Sequence, residues 1–581
     1  MNRRVIFGVV AVGAAIAVPI VLRESALLDV TAAVLWITVV VALAFALHTS
    51  GIPSLAQGAF VGLGAYAAAV ARTSWGFDPI AAIAFVAVAG FLPAMVSGLA
   101  IARLRPTFAA LVTWLLGWCF VLAVGAFPGV SGGSRGIVLP RAVVDIQALG
   151  RPFVVGAVFW WAAALVFAAV VLGVYASGRR RYGPALRLVR ADAPAAAAMG
   201  LRVDALRSGA MTASSWVAVI AGSLLVQVYG IADPTQYRVD LSYRLLLAVI
   251  IGGSAPVIGP VVGIGIVAGS HSLAVALLPA SATQYTMIAV AATLLALVVL
   301  APTGLDLRRL VARLRPPGTA GGPGPPDPLG PGRGADVQVD GVTLVIEGNT
   351  VLRDVTVAVE SGTCLAIVGP NGSGKTMLAR VLAGTRRPSG GHVVVERRPP
   401  DPDRAKAHVS RTLQRTIAAP TLPTATVVRA AAEPTRATGW LQALTATPLA
   451  RSEQRDIERR VSSVLAWCGI PTAADRALGT LGATEQRLIQ LASAMVSGPS
   501  VVILDEPTSG LDDDGARRVT ERINALHSTG ITMIVIEHDL AVVRSVTDRY
   551  AVLLDGQIRA RGDSDTIDDD PVVRAVSGGP V

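Results

Sequence analysis

Cysteine is nearly missing from these 581 residues. The three that occur, Cys119, Cys364 and Cys468, are scattered. That excludes a disulfide framework and a zinc site built on neighbouring thiolates. Charge is also thin: 15% of residues are Asp, Glu, Lys or Arg, against about 25% in an ordinary soluble domain. Acids are the scarcer sign, 39 against 50 Lys and Arg, which leaves a net charge of +11. Aromatics make up only 5% and do not interleave with the arginine clusters, so a nucleic-acid surface is not indicated. Apolar residues fill the space, at 53% of the chain and a mean hydropathy of +0.59. That balance points to membrane residence. The length is too great for one core and predicts at least two domains.

The apolar residues gather in the first half. About ten segments are long enough, or nearly so, to cross a bilayer: approximately 5–22, 27–47, 51–71, 79–102, 107–127, 152–176, 209–230, 241–253, 256–278 and 284–301. The segment 241–253 is short and reads as a broken or re-entrant helix, tolerated where protein covers its backbone. Arg3 and Arg4 ahead of the first run resemble a signal peptide, but a second span follows at once, so the run reads as the first crossing. Arg103/Arg105, Arg179/Arg180/Arg181 and Arg308/Arg309 flank later spans. Ten crossings place all these clusters on the cytoplasmic side, as do eight crossings with two re-entrant segments. His48 and His271 are the ionisable residues inside or beside spans. The first reads as interfacial and the second as satisfying a neighbouring backbone group.

The runs stop near Ala301, and Arg315 to Gly334 reads RPPGTAGGPGPPDPLGPGRG. A stretch of that composition buries no core and serves as an extended tether. The expected division is therefore a membrane domain over 1–312, a linker over 313–334 and a second domain over 335–581. Beyond the linker, short β-branched strands alternate with helical segments, as in an α/β domain.

The strongest local signal is Gly369-Pro370-Asn371-Gly372-Ser373-Gly374-Lys375-Thr376, between the apolar run Cys364–Val368 and a helical pattern from Met377. Strand, glycine loop and helix in that order form a phosphate cradle. Backbone N–H groups and the helix N-terminus face the anion, Lys375 reaches the β- and γ-phosphates, and the Thr376 hydroxyl coordinates Mg²⁺. A second apolar strand, Val501–Leu504, ends in Asp505-Glu506. Asp505 is placed to hold Mg²⁺ and Glu506 to polarise an attacking water.

With these residues in place, 335–581 resembles the ABC transporter ATPases along nearly its whole length, an α/β P-loop NTPase following a polytopic α-helical membrane domain. The resemblance implies roles for further positions. Gln414, in Thr412-Leu413-Gln414-Arg415, corresponds to the Q-loop glutamine that senses the γ-phosphate, joins Thr376 and Asp505 around Mg²⁺ and contacts the permease. Ser509-Gly510-Leu511-Asp512 resembles the D-loop, and His538 the switch histidine at the γ-phosphate. The family's signature, Leu-Ser-x-Gly-Gln or Glu, falls on Leu481-Gly482-Ala483-Thr484-Glu485, where the serine is Gly482 and the second glycine is Thr484. Gly482 offers no hydroxyl, and Thr484 adds a branched side chain where backbone should approach phosphate. The aromatic that stacks on adenine in many relatives would fall near Ile346, so stacking gives way to aliphatic contact.

In the membrane half, Tyr182–Val203 reads as an amphipathic, alanine-rich helix with a glycine stop. It resembles the coupling loop of ABC importer permeases, with Asp192, Ala196 and Gly200 at the matching positions. Gly51-Ile52-Pro53-Ser54-Leu55-Ala56-Gln57-Gly58 through Tyr66, Ser131–Ile137 and Val249–Pro260 resemble motifs of permeases for branched-chain and other hydrophobic amino acids. Asp569-Asp570-Pro571-Val572-Val573 resembles the end of that family's ATPase subunits. The implied protein is one half of an importer at the plasma membrane, ATPase inside. Its implied solute is a branched-chain or other hydrophobic amino acid, or a related small amide such as urea, delivered by a separate extracytoplasmic binding protein. The altered signature implies a heterodimer with a second permease–ATPase chain that keeps one ATP site competent. Two alternatives stand beside it: an exporter half, disfavoured by the many short spans, and a non-catalytic assembly subunit, disfavoured by Lys375 and Glu506.

Overall fold

The computed structural model describes residues 17–277 and 334–577 apart from 141–142, 147–150, 155, 254, 256, 397–408, 413–418 and 436–446, together with isolated positions 292, 295, 296 and 299. The segments expected at 5–22 and 284–301, the linker, Gln414 and the side chain of His271 thus lie wholly or largely outside the described residues. Two compact units form: Met1–Ser177 with Asp204–Thr319, and Gly178–Val203 with Ala320–Val581.

The first unit is helical. Its longer helices are α1 (Glu24–Ser50), α2 (Gln57–Thr73), α3 (Pro79–Ala89), α4 (Phe91–Ala102), α5 (Pro106–Ala126), α6 (Ala157–Ala191, which continues past the unit boundary), α8 (Val203–Tyr229), α9 (Val239–Gly252) and α10 (Ile258–Leu277), beside two short two-stranded sheets. Between α6 and α8, in the second unit, lies the short α7 (Ala193–Ala198). Five helical stretches among the described residues are long and apolar enough to cross a membrane: 24–50, 79–102, 106–126, 157–176 and 203–229. At 27 residues, α1 and α8 are each about 40 Å long, more than the ~30 Å hydrocarbon layer.

Several sequence expectations shift in detail. Gly51 ends α1 in the left-handed region and Pro53 bars an immediate restart, so the segment expected from 51 is helical only from Gln57. The run 79–102 is broken at Gly90. The run 152–176 starts at Ala157 but continues unbroken through Pro184 to Ala191. The 241–253 segment is indeed short, a helix of 14 residues.

Close packing in this unit depends on glycine. A Cβ at Gly64 would sit 1.8 Å from the Val219 carbonyl oxygen, and one at Gly222 would sit 1.9 Å from that of Val61. Backbone meets backbone, so neither side yields, and α2 and α8 cross only because both positions lack a side chain. By contrast α3, α4 and α5 leave large apolar side chains uncovered: Leu92, Phe108 and Leu122 are each more than half exposed. In water that surface would be a liability; against lipid it is the solvent-facing side.

The second unit holds nine strands among its described residues: β1 (Val337–Ile346), β2 (Asn349–Val359), β3 (Cys364–Val368), β4 (Gly390–Val395), β5 (Val409–Arg411), β6 (Val501–Asp505), β7 (Thr532–Ile536), β8 (Arg549–Leu554) and β9 (Gln557–Asp563). They form an antiparallel sheet in the order β2-β1-β4 and a six-stranded sheet in the order β9-β8-β3-β7-β6-β5, parallel except at β9. β3, β6 and β7 are buried at every residue, as a parallel sheet covered on both faces requires. Helices α11 (Lys375–Leu382), α12 (Thr424–Ala431), α13 (Pro448–Trp467), α14 (Ala483–Met495), α15 (Asp513–His527), α16 (Leu540–Val546) and α17 (Pro571–Ser577) accompany the sheets. The C-terminal ends of β3, β6 and β7 bring the glycine loop, Asp505-Glu506 and Glu537-His538 to one edge, where open α/β sheets bind ligands.

Candidate nucleotide site and coupling segment

The glycine loop turns from β3 into α11 through two left-handed residues, Gly372 at φ 85° and Gly374 at φ 103°. A Cβ at Gly369 would come within 2.2 Å of the Leu553 carbonyl, so that end of the loop also admits only glycine. Lys375 is 7% exposed, and its ammonium donates to the carbonyls of Gly369 (2.7 Å) and Pro370 (2.9 Å). Burial pulls its pKa below the ordinary lysine value, while the charges of Glu506 and Asp505 act in the opposite direction. The Ser373 hydroxyl is buried with no hydrogen-bond partner among the described residues. Pro370, Asn371 and Gly372 are exposed, and Thr376 is half-buried in the first turn of α11.

Asp505 is almost wholly buried at the end of β6. Its Oδ2 accepts from Arg411 at 2.6 Å and its N–H donates to Thr412 Oγ1 at 3.0 Å. Oδ1 is buried and accepts from no group among the described residues. An orphaned carboxylate oxygen beside Lys375 and the hydroxyl-bearing first turn of α11 is chemistry that fits a hard divalent cation. Glu506 follows at φ 48°, a left-handed conformation that costs a non-glycine residue about 1 kcal/mol or more. Its N–H donates to Ile536 O at 2.9 Å, fixing it against β7.

Two further groups meet this edge. Glu537 is buried: Oε1 accepts from the Thr508 N–H (3.2 Å) and hydroxyl (2.5 Å), and Oε2 accepts from the His538 N–H (3.1 Å). One carboxylate thus ties the chain after Glu506 to His538, whose own ring is exposed. Arg487 on α14 donates to Ser509 O (3.0 Å) and Gln490 Oε1 (3.2 Å). Burial lowers its pKa, opposed by Glu506, Glu537 and Asp505. Asp512 caps α15 by accepting from Gly515 N–H at 2.9 Å.

The signature-like segment forms the start of α14. Leu481 is buried, Gly482 is the N-cap and its N–H donates to Glu485 Oε2 at 3.1 Å, with Ala483 exposed at the first helical position. A Cβ at Gly482 would meet nothing within 4 Å, so the missing hydroxyl reflects chemistry, not space. Thr484 Oγ1 lies against Gly515, where an added Cβ would be 2.3 Å away, so this side chain turns toward its own α15. Ile346 ends β1 half-buried, before a tight turn.

The stretch 178–203 belongs to the same compact unit. Asp192 ends α6 and caps α7, its Oδ1 accepting from Ala195 N–H at 2.9 Å. Gly200 closes α7 at φ 92°; its N–H and that of Leu201 reach the Ala197 and Ala196 carbonyls, both at 3.0 Å. A residue with a Cβ resists that left-handed stop. Ala196 is fully buried, and Met199 and Gly200 line a cleft with Arg411, Thr412, Gln490 and Ser493. Arg181 forms an ion pair with Glu433, both side chains buried. The arginine's guanidinium also stacks on Tyr182.

Sequence reasoning missed Arg411, Glu433 and Glu537 and read Arg181 only as a topological charge. A faint signal existed for one of them: a glutamate directly after the apolar run Thr532–Ile536. His48 is half-buried in the last turn of α1, Cys119 is exposed, and Cys364 and Cys468 are buried and free. The described residues contain no cluster of three or more His, Cys, Asp or Glu able to hold a metal.

Comparison with known proteins places these features. Residues 27–298 match the family described as "Branched-chain amino acid transport system / permease component", and residues 352–509 the family described as "ABC transporter". The chain is 28% identical to the high-affinity branched-chain amino acid transport ATP-binding protein BraF of Pseudomonas aeruginosa, over 42% of this chain and 97% of that one. It is 31% identical to the phosphate import ATP-binding protein PstB 2 of Natronomonas pharaonis, over 40% of this chain and 82% of that one. A solved ATP-binding cassette of an ABC transporter, in its ADP conformation, aligns over 42% of this chain and 99% of its own at 24% identity, with a TM-score of 0.37.

Proposed function

Because this chain belongs to the ABC transporters and joins a branched-chain-type permease domain to an ABC ATPase domain in one polypeptide, we propose that it is half of an importer at the plasma membrane, its ATPase cytoplasmic. In this reading, hydrolysis drives uptake of a branched-chain or other hydrophobic amino acid, or a related small amide, delivered by an extracytoplasmic binding protein. The domain limits 1–312, 313–334 and 335–581 belong to it. The observation that carries it is the membership of 178–203 in the ATPase unit: the chain leaves α6, packs α7 beside Arg411 and Thr412, and returns as α8. A permease segment held there receives whatever displacement nucleotide causes at β5 and β6.

At the site, the N–H groups of Gly372 to Lys375 and the first turn of α11 bind the phosphates, and Lys375 neutralises the β- and γ-oxygens. Thr376 and Asp505, with Gln414, would hold Mg²⁺, which neutralises charge on the phosphate oxygens when bound. Water attacks the γ-phosphorus, the bond to the β–γ bridging oxygen breaks, and Glu506 orients the water and accepts its proton. His538 contacts the γ-phosphate. Glu537 positions both, holding His538 by its N–H and the chain after Glu506 through Thr508.

Gly482 brings no hydroxyl to a partner's nucleotide. A homodimer would repeat that defect in both composite sites. A heterodimer with a chain carrying an intact signature keeps one full site on this chain's Lys375 and Glu506, so we assign the working form as a heterodimer. The purified chain alone should bind Mg·ATP and hydrolyse it slowly, and Glu506→Gln should abolish hydrolysis in the assembled complex. Rapid turnover by the chain alone, lost in Lys375→Ala, would overturn the heterodimer. Absence of Mg·ATP binding would overturn the nucleotide reading, and undiminished complex activity in Glu506→Gln would favour a non-catalytic subunit.

A further inference from the structure

Gly58, Gly62 and Tyr66 recur every fourth residue and form one face of α2. That face is distinct from Val61 and Gly64, where α2 meets the backbone of α8. It opens on a junction of α5, α9 and the turn Pro234–Tyr237. A Cβ at Gly62 would lie 2.5 Å from the Phe120 ring and 3.0 Å from Tyr237 Cβ. Tyr66 closes the face, its ring edge-on to Phe120 at 6.1 Å and to Tyr237 at 6.2 Å.

Both tyrosines are buried, 7% and 1% exposed, and neither hydroxyl has a hydrogen-bond partner among the described residues. Elsewhere in this unit buried hydroxyls are satisfied locally. Thr31, Thr38, Ser50 and Ser223 all donate to carbonyls of their own helices. A tyrosine hydroxyl stands too far from its own helix backbone for that. If packing alone were the need, phenylalanine would meet it without two stranded donors in an apolar unit.

The junction also lies part-way along the spans. α2 and α8 run in the same direction, linked by Gln57 to Ser214 O at 3.0 Å near one end and by Arg72 to Gln227 at 2.8 Å near the other. Tyr66 falls between these levels. Short helices and non-helical turns at such depth, as at Pro234–Gly252, occur where protein lines a passage.

We propose that Tyr66 and Tyr237 form a solute subsite of the permease, shut in this structure. Its occupant is a small solute with an apolar body and a hydrogen-bond acceptor. The two O–H groups donate to a carboxylate or amide carbonyl, and the Phe120 ring, packed on Gly62, receives the apolar part when it moves aside. Asp233, at the start of the turn, already accepts from the Thr235 N–H and hydroxyl. This inference rests on the transport reading above.

The test uses the full chain in lipid nanodiscs with Cys119→Ser, since the other two thiols are buried. Tyr66→Cys and Tyr237→Cys are each reacted with a charged methanethiosulfonate, without nucleotide and with Mg·ATP retained by Glu506→Gln. At least one position should react, at rates differing about tenfold or more between the two states. Leu225→Cys, at a fully buried site on α8, should react in neither. Silence at both tyrosine positions in both states, or one rate throughout, overturns the subsite. Independently, Tyr66→Phe and Tyr237→Phe should melt no lower than the parent; a lower melting temperature would make the hydroxyls structural and overturn it too. This second arm needs no nucleotide. If a fluorescent ATP analogue fails to bind the parent, the nucleotide reading fails while the phenylalanine variants still decide the subsite.

Discussion

Arg181 and Glu433 form an ion pair whose side chains are 7% and 8% exposed. Arg181 lies on the tail of α6 and Glu433 just beyond α12, so the pair fastens the proposed coupling segment to the helices beside the sheet. At an ordinary separation of about 3 Å and an effective permittivity near 20, the direct attraction is about 5 kcal/mol. Desolvation of both ions offsets much of this, so replacing the pair with apolar residues costs little. Removing one partner is different, because it strands the other charge; the penalty is about 3–5 kcal/mol. That corresponds to roughly 10²–10⁴ in the equilibrium holding the segment in place. Amide hydrogen exchange in the full chain reads this directly. In Arg181→Met, protection at Leu188, Val189 and Ala196, all fully buried, should fall by about 10²-fold or more. The swap Arg181→Glu with Glu433→Arg should recover part of it. Unchanged protection in Arg181→Met would refute the claim that this pair anchors the segment.

Glu537→Gln places an amide N–H against the Thr508 and His538 donors; kcat for ATP should fall about tenfold or more with Mg·ATP affinity little changed. A loss confined to affinity, measured with a fluorescent nucleotide, would contradict the positioning role. Gly222→Ala drives a methyl toward the Val61 carbonyl and should destabilise the helical unit by about 3 kcal/mol. Gly209→Ala, on the same helix with nothing within 4 Å, should be neutral or stabilise by about 0.5–1 kcal/mol in thermal unfolding. Burial pushes the Cys468 thiol up to about 12. The neutral thiol is favoured in the fold, so its stabilising effect is complete below about pH 8.5 and declines as pH rises from there toward about 12. By pH 10 about 2 kcal/mol of it is lost. Stability curves of the parent and Cys468→Ala should therefore converge between pH 8 and 10 by about that amount; parallel curves would refute it.

Where a local backbone shape is set by contiguous residues, the sequence was sufficient to read it. The glycine loop between Val368 and Lys375 has one sterically open path from strand to helix, and the local order of residues states it. The Gly200 stop is likewise a nearest-neighbour effect and was legible, but the break before it was not: Tyr182–Val203 read as one helix, whereas the chain ends α6 at Ala191 and restarts as α7 behind the Asp192 cap. The run 241–253 was legible as short because length alone decides it.

Buried pairings of distant residues were not legible. Arg411 meets Asp505 across 94 positions and Arg181 meets Glu433 across 252. A charge in isolation reads as solvated or topological until a fold removes its water. The continuity of α6 through Pro184 escaped the sequence pattern too, because helix propensity at a proline is overridden where packing holds both flanks. The amino-acid order by itself determined the two-part architecture, the phosphate loop and the small-residue faces of the spans, all of which follow from composition, periodicity and local sterics. Tertiary structure alone decided which glycines touch backbone, which ions lose their water and which tyrosine hydroxyls are left without partners. Those are properties of surfaces brought together from far apart in the chain, and no window of sequence contains both sides.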